Sequence, residues 1–380
     1  MERPARPRHV QPHVGRDHGD LQRGDPAMKS RTSGFGLIEL MIGMGLGLLV
    51  LAGVLVIFLA QRQAYQNATS QALIQDADNA LSAIITPVVR GAGFMGCSTI
   101  GNGVVTYVAA RNTPLTFDTS SAVKGFEASS MPAKIVDGAA NDTTASDWTP
   151  SLDASFLTAS VGGVEQGSDV LVLIGAAPGD SPVGMISFGA GLIKVNDSSG
   201  ITNTRQMIAL SDCGKSSIFE INPAASNNLA YTMGPNGTPA YPSGSQVIPI
   251  QQTAFFVAKP KNSGQSALFR GVMTIPSGGS AANATWAISE ILPGVVNMQV
   301  LYGIGVNGQT TQYVDASAVT NWSAVTTIKL GFLLEGNSAS TTASTNLTSF
   351  TIFNTALKVP VDSRLRHTYY MTVNLRNSTL

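Results

Sequence analysis

The sequence predicts an α+β fold, in which one long N-terminal helix is set against an antiparallel β-rich domain. Three observations carry this. Residues 35–60 form an apolar run whose one charged residue is Glu39. From Gln61 to about Val89, apolar side chains recur mainly three and four residues apart. Beyond Cys97, short β-branched runs alternate with Gly, Asn, Ser and Pro punctuation.

The apolar run reads FGLIELMIGMGLGLLVLAGVLVIFLA. As a helix it would be about 39 Å long, more than the roughly 30 Å hydrocarbon core of a bilayer. Lys29 and Arg31 lie just before it and place its N-terminal end in the cytoplasm. A secretory signal peptide has a shorter apolar region and a small-residue cleavage site after it. Here Gln61-Arg62-Gln63 follows, and helical patterning continues. Gly43 and Gly47 stand in a GxxxG spacing, which permits close helix approach in lipid or in a helix bundle.

In the second half of the helix, the apolar positions are Tyr65, Ala68, Ala72, Ile74, Ala77, Leu81, Ile84 and Val88. Residues 61–92 are read as this amphipathic half, regular to about Thr86, where Pro87 should kink or end it. Residues 93–380 are read as one globular domain without an internal repeat or a dividing linker. Expected strands include Val104–Val108, Asp169–Ile174, Met185–Phe188, Met207–Leu210, Gln246–Ile250, Thr253–Ala258, Ala267–Met273, Ala324–Leu334, Leu357–Val359 and Tyr369–Leu375. The stretch Glu290–Tyr302 reads as a strand, or as helix passing into strand. Asn337–Ser349 reads as an exposed loop.

Composition narrows the class. The chain is 43% hydrophobic and 12% charged, about half the roughly 25% charge of an ordinary soluble protein. This fits a secreted or surface β-rich protein. Formal net charge is zero, and beyond Gly34 the 19 acidic and 16 basic residues leave a small negative excess. Nothing here points to a nucleic-acid partner. Residues 1–27 are rich in Arg, Pro and His and lack apolar periodicity. They read as a disordered tail or as an extension from a misassigned start, with Met28 the better start.

The segment Gly34-Phe35-Gly36-Leu37-Ile38-Glu39-Leu40-Met41, with Lys29 and Arg31 before it, resembles the class III leader of type IV pilins and pseudopilins. The resemblance implies a leader over 28–34 and cleavage after Gly34 by a prepilin peptidase, which also N-methylates Phe35. It gives Glu39 an assembly role. There is also a physical reading of Glu39. An ionised acid at the centre of a membrane helix costs roughly 2.5–3.5 kcal/mol, so it needs a partner. The cationic amine that cleavage would create at Phe35 of a neighbouring subunit is one, at the helix end whose dipole favours a carboxylate.

Further blocks resemble the PilW family of minor pilins. They are Val89-Arg90-Gly91-Ala92-Gly93-Phe94-Met95-Gly96-Cys97, residues 291–303, residues 322–334 and the closing stretch 365–377. His367 and Asn297 depart from the residues that family would place there, and residues of about 100–285 show no match. The resemblance implies a pilin-like fold and a structural subunit that initiates or caps a type IV pilus. Expected partners are the prepilin peptidase, other minor pilins, the major pilin, the inner-membrane assembly platform and a tip adhesin. It also implies a Gram-negative inner-membrane location before assembly and the pilus surface after it. The J-type pseudopilin of type II secretion is the first alternative, and a membrane-tethered periplasmic enzyme or binding domain the second.

Other chemistry is thinly supplied. Cys97 and Cys213 are the two thiols and, in an oxidising periplasm, are expected to pair as a disulfide. Two separate buried thiols are the alternative. Of the four His, only His367 lies beyond the N-terminal tail, so a His-dependent nucleophile has one candidate base. Gly303-Ile304-Gly305-Val306-Asn307-Gly308 is a formal GxGxxG, but a polar, β-prone segment follows where a dinucleotide site needs a helix. We therefore expect no cofactor, no metal and no catalytic residue.

Overall fold

The computed structural model describes residues 34, 36–97, 104–107, 121–129, 134–135, 141–159, 161–176, 181–189, 191–199, 201, 206–222, 226–231, 240–260, 265–274, 285–306, 309–339, 349–360, 362 and 364–377. The tail 1–27, the basic residues Lys29 and Arg31, and Phe35 lie outside them. The chain divides into two compact units, 1–58 and 59–380. Helix α1 (Leu37–Gly91) contributes to both.

In the second unit the strands follow in chain order. They are β1 (Val104–Tyr107), β2 (Val123–Ala128), β3 (Lys134–Ile135), β4 (Trp148–Thr149), β5 (Val170–Ala176), β6 (Val183–Gly189), β7 (Leu192–Val195), β8 (Gln206–Ser211), β9 (Lys215–Asn222) and β10 (Asn228–Tyr231). Then come β11 (Gln246–Ala258), β12 (Ala267–Thr274), β13 (Thr285–Pro293), β14 (Val295–Val306), β15 (Gln309–Val314), β16 (Val325–Ala339), β17 (Ser349–Ile352), β18 (Thr355–Lys358) and β19 (Arg364–Asn374). A short helix α2 (Ala154–Ala159) precedes β5.

Among the described residues, a four-stranded antiparallel sheet runs β15-β14-β16-β19. Its pairing aligns three inward rows: Met298, Phe332 and Tyr369; Val300, Leu330 and Met371; Tyr302, Ile328 and Val373. The period of two in each strand puts these rows on one face. Against them pack Ile74, Ala77, Leu81, Ile85 and Val89 of α1, in one apolar core. Leu81, Ile85 and Val89 are fully buried, each worth about 1.5–3 kcal/mol. The opposite face of β14 and β16 contributes Val296 and Leu333 to a smaller core with Ile352 and Leu357.

A twelve-stranded sheet, again counted among the described residues, is organised around β11, which pairs with β5, β6, β8 and β12. One core on it is aromatic: Phe156 of α2 meets Phe256 at 5.2 Å and Trp286 at 5.1 Å, edge to face. A buried polar seam joins this sheet to the four-stranded one. The Nδ2 of Asn297 and the Nε2 of Gln299 both donate to the Gly167 carbonyl, at 3.0 and 2.8 Å. The Asp169 N–H donates to the Met298 carbonyl at 2.9 Å.

The expected α+β layout, a long helix with antiparallel sheet against its second half, is what the structure contains. Several details differ. Helix α1 does not end near Thr86: it carries Pro87 within it and continues to Gly91. Ile85 and Val89 are fully buried on either side of the exposed proline, and their packing holds the last turn together. The buried stripe is Ser70, Ile74, Ala77, Leu81, Ile85 and Val89. Tyr65, assigned to it from spacing, is 74% exposed, whereas Ile84 and Val88 lie only at its edge. Ile74, Ala77 and Leu81 agree with the sequence reading, but after Leu81 the buried face continues in steps of four to Ile85 and Val89, one residue beyond the Ile84 and Val88 read from spacing. Glu290–Tyr302 is neither one strand nor helix but the end of β13 and most of β14, separated by Gly294 at φ 82°. Asn337–Ala339 extends β16, and 340–348 lie outside the described residues. Residues of about 100–285, which showed no family match, supply most strands of the larger sheet among the described residues.

Candidate assembly site

Helix α1 starts three residues after Gly34, and its first turn contains Glu39. The Glu39 Oε2 accepts the Gly36 N–H at 3.2 Å. A carboxylate in a helix's first turn satisfies a donor that has no intrahelical partner and complements the positive dipole end. The carboxylate is solvent-exposed, so it remains available to a further cation.

Beyond it, every residue from Leu37 to Leu59 is exposed, including Leu46, Leu49, Val56 and Phe58, each at 60% or more. The helix is long and apolar enough to cross a membrane, with a best 18-residue window of mean hydropathy 2.7. An apolar surface of this extent is unstable in water and needs lipid or other apolar helices around it. Gly43 and Gly47 face open space, with no atom within 4 Å of where a Cβ would stand. They therefore offer flat positions at which another helix could approach closely.

At the other end of α1 the expected disulfide is present. Cys97 and Cys213 are bonded across 116 residues with a Cα–Cα distance of 4.7 Å. Cys213 sits in the tight turn between β8 and β9 at φ 68°. The Asp212 Oδ1 holds that turn by accepting from the N–H groups of Gly214 and Lys215 at 3.1 and 2.9 Å. Gly93, at φ 79°, donates its N–H to the Ile174 carbonyl at 2.8 Å. A Cβ there would stand 3.1 Å from both the Ala122 Cβ and the Asn377 carbonyl oxygen. The glycines after α1 thus let the chain lie close against both sheets, and the disulfide holds it there.

His367, on β19, places its Nε2 3.8 Å from the Asp78 Oδ2 of α1. Burial raises the Asp78 carboxyl above its ordinary range, opposed by the imidazole beside it. The structure therefore brings together Cys97 with Cys213, and Gly36 with Glu39. Gly34, Glu39, Gly43 and Gly47 lie in the first unit, and the disulfide in the second. A second ionic cluster was not expected from the sequence. The buried Glu335 Oε2 accepts from the Arg366 guanidinium at 2.8 Å, Arg364 pairs with the same carboxylate, and Asp362 accepts from Arg366 at 2.7 Å. Its one-dimensional trace is the triad Asp362, Arg364 and Arg366 at spacing two, with Glu335 supplied across β16.

Comparison with known proteins bears on the second unit. No curated protein and no solved structure matches the chain. Residues 254–377 match the family model of type IV pilus-assembly protein W. The matched segment runs from β11 through β19 and contains the whole four-stranded sheet that receives α1. The blocks 291–303, 322–334 and 365–377 fall within it, whereas the leader and 89–97 lie outside. It is over this segment, which holds the sheet against which the N-terminal helix packs, that the chain is similar to the PilW family of type IV pilus-assembly proteins.

Proposed function

We propose that this chain is a structural minor pilin that prepilin peptidase processes between Gly34 and Phe35 and that initiates or caps a type IV pilus. The observation that carries the reading is the wholly exposed apolar half of α1, opening on Gly34 and Glu39, in a chain whose C-terminal sheet is of PilW type. Such a helix is stored in the inner membrane and later packed among helices of other subunits. Glu39 then pairs with the N-methylated Phe35 amine of a neighbour and sets the axial register. The partners of this role are the peptidase, other minor pilins, the major pilin, the assembly platform and a tip adhesin. The role proposed is structural, by helix packing, and assigns no catalytic residue. The family match to a pilus-assembly protein favours the pilus over a J-type secretion pseudopilin.

Intact mass and N-terminal peptide analysis of the protein, expressed with and without its prepilin peptidase, tests this. A chain beginning at N-methylated Phe35 only when the peptidase is present is the expected result. Retention of residues 29–34 in both strains would overturn the reading and leave 35–60 as an ordinary anchor.

A further inference from the structure

Two sequence blocks far apart in the chain, 89–97 and 365–377, meet at the C-terminal end of α1. The Asn377 Nδ2 donates to the Ala92 carbonyl at 3.1 Å and to the Arg90 carbonyl at 3.4 Å. Beside this junction lies an open groove of about 730 Å³, lined by Ser82, Thr86, Pro87, Arg90, Phe94 and Arg376 among others. Among the described residues no acidic side chain lines it.

The charge of the groove is set by its two arginines. Both are exposed, and among the described residues neither guanidinium has an ion-pair or hydrogen-bond partner. A helix C-terminus ordinarily repels anions through its free carbonyls. Here three of those carbonyls are occupied: Val89 accepts from the Ala92 N–H, Gly91 from the Phe94 N–H, and Arg90 from Asn377. Among the described residues, the charged side chains at the groove are its two arginines. Pro87 and the half-buried Phe94 add apolar surface to its lining. A guanidinium binds a carboxylate through paired N–H donors, and apolar surface takes a neighbouring aliphatic or aromatic side chain.

We propose that this groove docks an acidic, apolar-flanked peptide segment of a different pilus subunit. The identity of the partner as a pilus subunit rests on the proposed function; the charge and apolar chemistry of the groove do not. Two measurements test it with the full-length chain. In detergent micelles, a fluorescent octapeptide alternating Asp and Leu should bind saturably, and its Asn-for-Asp counterpart should not. Arg90→Ala and Arg376→Ala should each weaken binding about tenfold, the scale of a hydrogen bond to a charged group. The double Lys variant should keep most of the affinity. Equal binding of the two peptides, or unchanged affinity in the double Ala variant, would overturn the proposal.

In cells, a photo-crosslinking residue in place of Ser82 should yield a product with another pilus subunit. A product with a second copy of this chain, with phospholipid or with the chain's own last residues would overturn the assignment of the occupant, as would the absence of any product. Peptide binding is read without reference to leader processing. A failed groove with normal Phe35 processing, and the reverse, are therefore separate results.

Discussion

The Asp169 Oδ2 accepts the backbone N–H of Val300 at 2.8 Å, and its Oδ1 accepts that of Ala128 at 3.0 Å. One buried carboxylate thus ties β2 of the large sheet to β14 of the helix-bearing sheet. Asp169→Ala leaves two buried donors without acceptors, each costing about 1–3 kcal/mol. We expect denaturant unfolding of the full chain in detergent to show a loss of about 2–4 kcal/mol. A change under about 0.5 kcal/mol, the scale of an ordinary surface substitution, would show that the seam is dispensable.

Near it, burial and then the Asp315 charge push the Glu127 carboxyl up to about 7, against a lowering by the Ala316 N–H. Burial, followed by the charge of Glu127, raises Asp169 as well, opposed by the N–H groups of Ala128 and Val300. The protonated form of Glu127 is therefore favoured in the folded state. Its stabilisation is present below the ordinary glutamate range and is lost as pH rises through about 7. The unfolding free energy should fall between about pH 4.5 and pH 7, by an amount on the order of 3 kcal/mol at 1.36 kcal/mol per pH unit, and thermal midpoints should fall with it. Glu127→Gln should remove most of that slope. An equal slope in the variant would assign it to other groups.

Gly125 lies beneath the Tyr302 ring, where a Cβ would stand 2.0 Å from the phenol oxygen. The ring is also held edge-on to Trp322 at 4.9 Å. Gly125→Ala therefore forces the ring to shift, and we expect a cost of about 1–3 kcal/mol. Among the described residues the buried Tyr302 hydroxyl has no hydrogen-bond partner, so Tyr302→Phe should be neutral or stabilising. Equilibrium unfolding of both variants checks the pair; marked destabilisation by Tyr302→Phe would mean that the hydroxyl is satisfied in solution.

The Cys97–Cys213 bond closes a loop of 116 residues. In the chain-entropy model such a loop is worth roughly 4–5 kcal/mol. Replacing both cysteines with Ser should lower the unfolding free energy by about that amount. Reductant should shift the unfolding midpoint of the native chain and leave the variant unmoved. Equal midpoints for native chain and variant, without reductant, would remove the bond from the account.

Glu39→Gln keeps the size of the side chain and removes its charge. On the proposed function, the variant should be cleaved and methylated normally yet be depleted at least tenfold from sheared pili, remaining in the inner membrane. Immunoblots of the two fractions read this directly. Normal incorporation would show that assembly does not need the carboxylate.

How much of this was legible in the sequence differs by element. The apolar half of α1 was readable because a membrane-length run with one acid has few other meanings, and local composition states it without reference to the rest of the chain. Its amphipathic half was readable in kind but not in phase. Alanines and isoleucines occur on both sides of the stripe, and the four-residue step through Leu81, Ile85 and Val89 follows from the sheet they meet. Strands such as β14, β16 and β19 announced themselves through β-branched and aromatic residues. The polar strand β15 and the four-residue strand β17 did not, since their pairing comes from neighbours. The two cysteines could be expected to pair on compartment alone, but only the tertiary structure set the 116-residue crossing from the end of α1 to the β8–β9 turn. Likewise Asp169, Glu127 and Tyr302 are unremarkable in one dimension. What the sequence by itself determined is the local chemistry, an apolar helix led by Gly34 and Glu39 and a β-rich body. What only the tertiary structure decided is which distant groups share a buried site or a groove, because burial and proximity arise from contacts across more than a hundred residues.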